Sequence, residues 1–332
     1  MNFVGANGAS KSTLNSSKLS RPRVRRTSSA QMWGWHGIKI IYNTVLSTIL
    51  DLHQILKSNC SSQYNAMQLP IVFPVHNAAS KGNIILSKAD SGRYYLLTIN
   101  SPPDNRLTPE MCVTLAHALD VLEDSFLSGE KLPLVTTSSI QKFYSNGLDL
   151  ELARSTPGFW DNALYPLFKR FLQYPTPCIA MINGHAFAGG FMLSMCHDYR
   201  IMNPSRGFLC LNELEFGAPL TSPMSAIFRF KLTPAAYQKC VLEATRFTAD
   251  TAIAHNLVDA KGSLADVDEF IKARNIGMFA ESPAYGQLKS EMWREIINYC
   301  DTPFAEEEAR IESNIHREGE RKKARAQIRA KM

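Results

Sequence analysis

The sequence contains no apolar run long enough to cross a bilayer. Its nearest candidate, residues 38–56, is interrupted by Lys39, Asn43 and Asp51, whereas a spanning helix needs roughly 20 mostly apolar residues. An amphipathic helix lying on a surface or against a partner is expected there instead. Cysteine is sparse: seven thiols at 60, 112, 178, 196, 210, 240 and 300 are odd in number and too widely spread for a disulfide framework or a metal knuckle. They read as free thiols in a reducing compartment, serving mainly as core packing. Acids are missing altogether from residues 1–50, which carry Lys11, Lys18, Arg21, Arg23, Arg25, Arg26 and Lys39. That tract accounts for the net charge of +6, because the remainder holds 29 of the 36 bases against 30 acids. A basic sheath for nucleic acid is therefore unsupported in the globular part, although a phosphate-bearing ligand would still need a few local cations.

Two catalytic motifs are also missing. Residues 5–12 have Ser10 where a phosphate-binding loop requires its second glycine, and no strand precedes them. Ser145, with His185 as a conceivable base, is not on the Gly-x-Ser-x-Gly turn that exposes a hydrolase nucleophile. His185 and His197 have no companion at metal-ligand spacing, so packing or hydrogen-bonding roles are expected for them and no metal site is predicted.

What remains is a chain that mostly folds, since 45% hydrophobic and 20% charged residues match an ordinary globular protein. Residues 1–80 form a basic, Ser-rich extension, expected to be poorly ordered or partly helical, with Pro70 and Pro74 marking a linker. Residues 81–231 alternate strand-like and helical patterns. Segments 83–88 and 94–100 read as a hairpin, and Thr108 then caps a helix whose first residue is Pro109. A strand follows at 132–137, then a turn at 145–147, one long helix ending before Pro175, a strand at 178–182 and a glycine-rich turn opening a helix at 191–197. This alternation predicts an α/β fold with strands covered by helices. Residues 232–332 are overwhelmingly helical and end in a mixed-charge exposed helix.

Two loops and one acid carry the chemistry. The first loop contains Lys142, Asn146, Gly147 and Leu148, and the second contains His185, Phe187, Gly189 and Gly190; each directly follows a strand. Glycine lets such a backbone turn sharply and lets a ligand approach without meeting a Cβ. The second loop also opens a helix, where unpaired N–H groups and the positive end of the helix dipole favour an oxyanion. Glu213 follows a third short apolar segment. In isolation it is an ordinary surface acid, and Glu215 is its equal; the flanking loops distinguish it.

These segments resemble the crotonase (enoyl-CoA hydratase/isomerase) family. The two loops are similar to its paired oxyanion-hole segments, and residues 103–107 to the loop after its opening hairpin. Residues 208–217 resemble the segment bearing its catalytic glutamate, and residues 246–259 the helix-turn before its C-terminal helices. The likeness runs over about 82–265 in order, and the string Leu211-Asn212-Glu213 resembles the family's Δ3,Δ2-enoyl-CoA isomerases. It implies a ββα spiral core with a C-terminal helical trimerisation region, hence a homotrimer or hexamer. It implies the backbone N–H groups of Leu148 and Gly189 as oxyanion donors and Glu213 as the proton-moving carboxylate. Lys142, Asn146, Gly147, Phe187, Gly190 and Met192 are expected on the substrate side, with Lys142 reading equally as a point charge for a CoA phosphate and as a solvated turn lysine. No cofactor is implied, because CoA belongs to the substrate.

Met192 occupies the position of the second glutamate with which the family's hydratases hold water. A lone acid suits proton transfer within one substrate better than the addition of water. The resemblance therefore implies a Δ3,Δ2-enoyl-CoA isomerase, in fatty-acid β-oxidation or a related acyl-CoA pathway. Another crotonase-family acyl-CoA enzyme such as a hydratase, or a non-catalytic acyl-CoA binder or scaffold, are the alternatives. Apolar neighbours Phe187, Met192, Leu211 and Phe216, if convergent, would raise the pKa of Glu213. Ala330, Lys331 and Met332 resemble a tripeptide read by the peroxisomal import receptor, while the acid-free start resembles a mitochondrial transit segment. The expectation is peroxisomal, with the mitochondrion as alternative.

Overall fold

Alternation of apolar and polar residues sets the central sheet of the computed structural model, which describes residues 68–76, 81–126 and 129–331. The basic tract, the amphipathic stretch at 38–56, Cys60 and Met332 lie outside the described residues. Strands β1 (Ile71–His76), β2 (Lys81–Lys88) and β3 (Tyr95–Asn100) form an antiparallel meander. In β2 only every second residue is buried, Ile84 and Leu86 among them, as a half-covered strand requires. The expected linker at Pro70 and Pro74 is instead β1 itself. Pro74 fits because β1 is an edge strand of the sheet, and an edge leaves one side without a ladder to feed.

After β3 the chain passes through a turn at Asn105 into α1 (Pro109–Ser125), where the Thr108 side chain accepts the Met111 N–H as its N-cap. The buried face of α1, including Met111, Leu115, Leu119 and Leu122, has the three-to-four spacing that covers a sheet. Strand β4 (Leu134–Ser138) returns parallel to β3, followed by the short β5 (Phe143–Ser145). The single long helix expected before Pro175 is broken. It consists of α2 (Leu150–Ser155), a π turn (Trp160–Leu164) and α3 (Tyr165–Gln173), separated by Pro157 and by Gly158 at φ +72°. Proline and a left-handed glycine stop one helix and redirect the next.

Strand β6 (Cys178–Ile182), β7 (His185–Phe187), helix α4 (Gly189–Cys196), β8 (Tyr199–Met202) and β9 (Leu209–Cys210) complete the core. The larger sheet runs β1-β2-β3-β4-β6-β8 and ends on β10 (Ala260–Lys261). Its two faces separate residue by residue: Cys178, Ala180 and Ile182 enter the main core with α1 and α3, while Ile179 and Met181 join a smaller core with Val135 and Ile201. The strands β5, β7 and β9 form a second, three-stranded parallel sheet.

From Glu213 onward the chain is almost entirely helical. It comprises α5 (Glu213–Phe216), α6 (Ser222–Arg229), α7 (Pro234–Leu242), α8 (Ala249–Ala254), α9 (Val267–Ala273), α10 (Ile276–Ala280), α11 (Tyr285–Met292), α12 (Arg294–Cys300) and α13 (Phe304–Arg329). No helix of the described residues is long and apolar enough to cross a membrane. The six cysteines among the described residues are all free and buried, in keeping with the packing role expected of them. The tail helix α13 is exposed after its first two turns, and Ala330 and Lys331 lie at its end.

Asn105 ties the two sheets together. It sits at φ +54°, a conformation asparagine tolerates better than most residues. Its side chain accepts the Ser101 N–H at 2.7 Å and donates to Ser138 Oγ at 2.6 Å and to the Tyr144 carbonyl at 3.1 Å. These bonds join the turn after β3 to the end of β4 and to β5. Asn105→Ala would leave several buried polar groups without partners, at a cost of roughly 3 kcal/mol. Thermal unfolding should show the variant melting several degrees below the parent; equal Tm values would remove Asn105 from this role.

Candidate active site

The small sheet explains why three distant segments meet. Its strands are parallel, with Ser145 opposite Ala186 and Phe187 opposite Cys210. The chain therefore leaves all three at the same end, delivering Asn146 to Leu148, Ala188 and Gly189, and Asn212 and Glu213 side by side. The expectation that two glycine loops and one acid converge is met by this register.

The turns pack so closely that side chains are excluded. A Cβ on Gly147, at φ +84°, would stand 2.8 Å from the Phe187 carbonyl oxygen and 3.1 Å from the Gly189 nitrogen. A Cβ on Gly190 would collide with the Ser145 carbonyl. Between these turns lie the two amides singled out by sequence. The Gly147 carbonyl accepts the Leu107 N–H at 2.8 Å, and the Ala188 carbonyl accepts the Met192 N–H at 3.0 Å. In a trans peptide the N–H points opposite to the carbonyl, so both carbonyl bonds orient the amides of Leu148 and Gly189. Neither amide has a hydrogen-bond acceptor among the described residues. Ala188 holds φ +47°, strain of the kind that concentrates at functional turns.

Glu213 and Leu148 line one cleft of about 570 Å³ together with Asn146, Ala188, Asn212, Arg106 and Arg154. One oxygen of Glu213, Oε2, is buried and makes no hydrogen bond, and the same is true of Asn212 Oδ1. Burial pushes the Glu213 carboxyl up to about 7, partly offset by its own backbone N–H. The cause is desolvation of the charged form, but the apolar neighbours differ from those anticipated. Of the four, only Phe216 lines the cleft; Met192 and Leu211 are buried behind it, and Phe187 packs on the His185 ring at 4.9 Å. The apolar walls come instead from Leu148, Leu150, Trp160, Met224, Phe304 and Ile311.

The other anticipated substrate contacts divide in the same way. Asn146 is on the lining, whereas Gly147, Gly189 and Gly190 form the backbone behind it. Lys142 does not reach the cleft: it is exposed, with Nζ 5.3 Å from the centre of the Phe143 ring. It precedes β5, at the opposite end of the strand from the loop that reaches the cleft. His185 accepts the Phe208 N–H at 3.2 Å through Nδ1, and His197 is buried between Thr136 Oγ1 at 2.8 Å and the Leu193 carbonyl at 2.9 Å. Burial holds the His197 imidazole well below its ordinary range. Ser145 Oγ donates to the Asn105 carbonyl at 2.7 Å. No group of three or more potential ligands able to hold a metal ion occurs among the described residues.

Several lining residues escaped the sequence reading. Arg106 donates to the Leu148 carbonyl through Nη1 at 3.1 Å and to Asp104 Oδ2 through Nε at 3.1 Å. Asn146 Nδ2 reaches the same Asp104 oxygen at 2.6 Å. The Asp104-Asn105-Arg106 triplet was the available signal. Trp160, in the π turn, and Phe304, Glu308 and Ile311, in α13, have no local motif that marks them.

Comparison with known proteins follows the same lines. The family profile described as enoyl-CoA hydratase/isomerase matches residues 93–327. The chain is 34% identical over 220 residues to the peroxisomal enoyl-CoA delta isomerase 1 of Arabidopsis thaliana, covering 64% of this chain and 90% of that protein. It is 32% identical over 142 residues to the mitochondrial enoyl-CoA delta isomerase 1 of Homo sapiens, covering 40% and 45%. Among solved structures, an enoyl-CoA hydratase from Mycobacterium marinum superposes with a TM-score of 0.58 at 22% identity, over 68% of this chain and 98% of that one. An Mtb enoyl-CoA isomerase gives a TM-score of 0.57 at 23% identity, over 65% and 93%. These structural likenesses show the crotonase fold.

A carboxyl raised to about 7 has a cost in stability with a defined pH window. Below its ordinary value of 4.5 the group is protonated in both folded and unfolded chains. Between 4.5 and about 7 the folded state binds more protons, so stability falls as pH rises. Above that window the cost of the buried charge is complete. Glu213→Gln should therefore stabilise the protein on the order of 2 kcal/mol at pH 8 and much less at pH 4.5. Chemical denaturation at the two pH values measures this; an equal effect at both would refute the buried-charge account.

Proposed function

We propose, for a chain that belongs to the enoyl-CoA hydratase/isomerase family, that it is an enoyl-CoA isomerase shifting a 3,4 double bond of an acyl-CoA to the 2,3 position. The observation that carries this reading is one buried, unpartnered carboxylate oxygen on Glu213, in a cleft lined by Leu148 and Ala188, next to the acceptorless amides of Leu148 and Gly189. The thioester oxygen sits between the N–H groups of Leu148 and Gly189. Glu213 removes a proton from C2, the electron pair moves into the thioester as an enolate, and the charge on oxygen is met by both amides. The same carboxyl then returns the proton at C4. Atoms and electrons balance within one substrate, so the step requires no oxidant or reductant.

Three features support this division of labour. A carboxyl near 7 is matched to base and acid work at neutral pH. The Gly189 amide stands in the first turn of α4, where the helix dipole adds positive potential. Met192 replaces the second acid of a hydratase and lies buried away from the cleft, and Glu308, the other acid on the lining, belongs to α13 rather than to the sheet ends. Relatives bearing the enoyl-CoA delta isomerase name include peroxisomal proteins of Arabidopsis thaliana and a mitochondrial one of Homo sapiens.

Purified protein should convert 3-hexenoyl-CoA to 2-hexenoyl-CoA, with product analysis distinguishing the isomer from the 3-hydroxyacyl hydration product. Glu213→Gln is expected to lower kcat about 10²–10⁴-fold. The kcat/KM of the parent should rise with pH through about 7 and then level off, because the ionised carboxylate is the active form. Full activity in the Gln variant would end the assignment of Glu213 as the base.

Self-association is part of the same proposal. The helical region exposes Leu242, Met278, Phe279, Leu288 and Met292, apolar area of the kind that subunit contacts cover. Sedimentation equilibrium should give a trimer or hexamer at micromolar concentration, and a monomer at that concentration would exclude the homotrimer.

A further inference from the structure

The helical wall of the cleft holds the closest parallel aromatic stack found among the described residues. The Trp160 ring lies 4.8 Å from that of Phe304 at an interplanar angle of 13°. Trp160 begins the π turn, an element that recurs at functional sites, and Phe304 is the first residue of α13. Both rings line the cleft that contains Glu213. Their positions are latched. Asp161 Oδ1 accepts the Phe304 N–H at 2.9 Å, capping α13, and Glu307 Oε2 accepts the Ser222 N–H at 2.8 Å at the start of α6. Phe159 meets the Trp160 ring edge-on at 5.2 Å from behind. The stack is thus a braced wall rather than a loose flap.

Its neighbours define what it faces. Polar lining groups such as Asn146, Asn212 and Glu213 come from the ends of the small sheet, whereas Leu150, Met224 and Ile311 come from helices beside the stack. A thioester held at the sheet ends therefore directs its hydrocarbon tail toward the helical wall. We propose that the Trp160–Phe304 stack is the end-stop of the acyl subsite, and that Trp160 sets the longest acyl chain the protein accepts. This inference rests on the reading that the cleft takes an acyl thioester.

The test uses the full-length chain and saturated acyl-CoAs from butanoyl to dodecanoyl, titrated calorimetrically so that binding is read without turnover. Each methylene buried should tighten Kd about four-fold until the tail meets the stack, after which the series flattens or weakens. Trp160→Ala should move that break to chains longer by about two carbons or more, and Trp160→Phe should move it less. Thermal melts establish that each variant is folded, and if the alanine variant is not, the phenylalanine variant decides. A break at the same chain length in parent and folded variants overturns the proposal. Glu213→Gln in parallel separates the two readings: it should retain the parent's break while losing turnover. If the parent binds the series with a movable break yet isomerises nothing, the isomerase assignment falls and the end-stop stands. If no acyl-CoA of any length binds the parent, both fall.

Discussion

Two backbone turns approach so closely between β5, β7 and α4 that neither Gly147 nor Gly190 has room for a Cβ. The contact of Gly147 with the Phe187 carbonyl and the Gly189 nitrogen is the constraint on which the site depends. It brings together two peptide groups whose carbonyls are already bonded elsewhere, which leaves the Leu148 and Gly189 N–H groups without acceptors among the described residues. Larger residues at these turns would separate them and disperse the positive potential. Much of the surrounding polar structure serves this approach: Asn105 bonds across the strand ends, and Arg106 holds the Leu148 carbonyl.

Helix α4 links the site to the buried interior. Its first turn presents the Gly189 amide, and its far end is satisfied by two basic side chains: Lys231 Nζ, whose amine burial pulls down to about 7, donates to the carbonyls of Met195 and His197, and the Arg200 guanidinium donates through Nη1 to the same His197 carbonyl. Lys231 also lies 4.3 Å from the centre of the Trp293 ring, and Arg200 pairs with Asp259 at 3.3 Å. Positive charge at a helix C-terminus stabilises the helix, so the eight residues from Gly189 to Cys196 are anchored at the end remote from the chemistry. The open end is left for an anion. The opposite tension acts on Glu213, a half-buried residue with one buried carboxylate oxygen that makes no hydrogen bond, which makes its ionised form unfavourable to folding. Stability is given up at this carboxyl, a cost of the kind that active sites commonly carry.

Local signals were sufficient where they reflect local physics. The hairpin of β2 and β3, the Thr108 and Pro109 helix start, the strand at β6 and the glycine turn before α4 each follow from periodicity, capping or conformational freedom in adjacent residues. Where a proline or glycine admits two outcomes, the neighbours in space made the choice. Pro74 became part of an edge strand because β2 was available to pair with it, and Pro157 with Gly158 divided one expected helix into two helices and a π turn.

The family resemblance, the two glycine loops and the acid that lies beside them were already contained in the order of residues along the chain. Such features depend on residue type and on short-range geometry, which a linear string records. The cleft wall was not: Trp160, Phe304 and Ile311 come together only when α13 folds back across the core, while Met192 and Leu211 are buried off the lining and Lys142 stands exposed ahead of β5. Proximity between residues more than a hundred positions apart is a property of packing, and no local pattern encodes it.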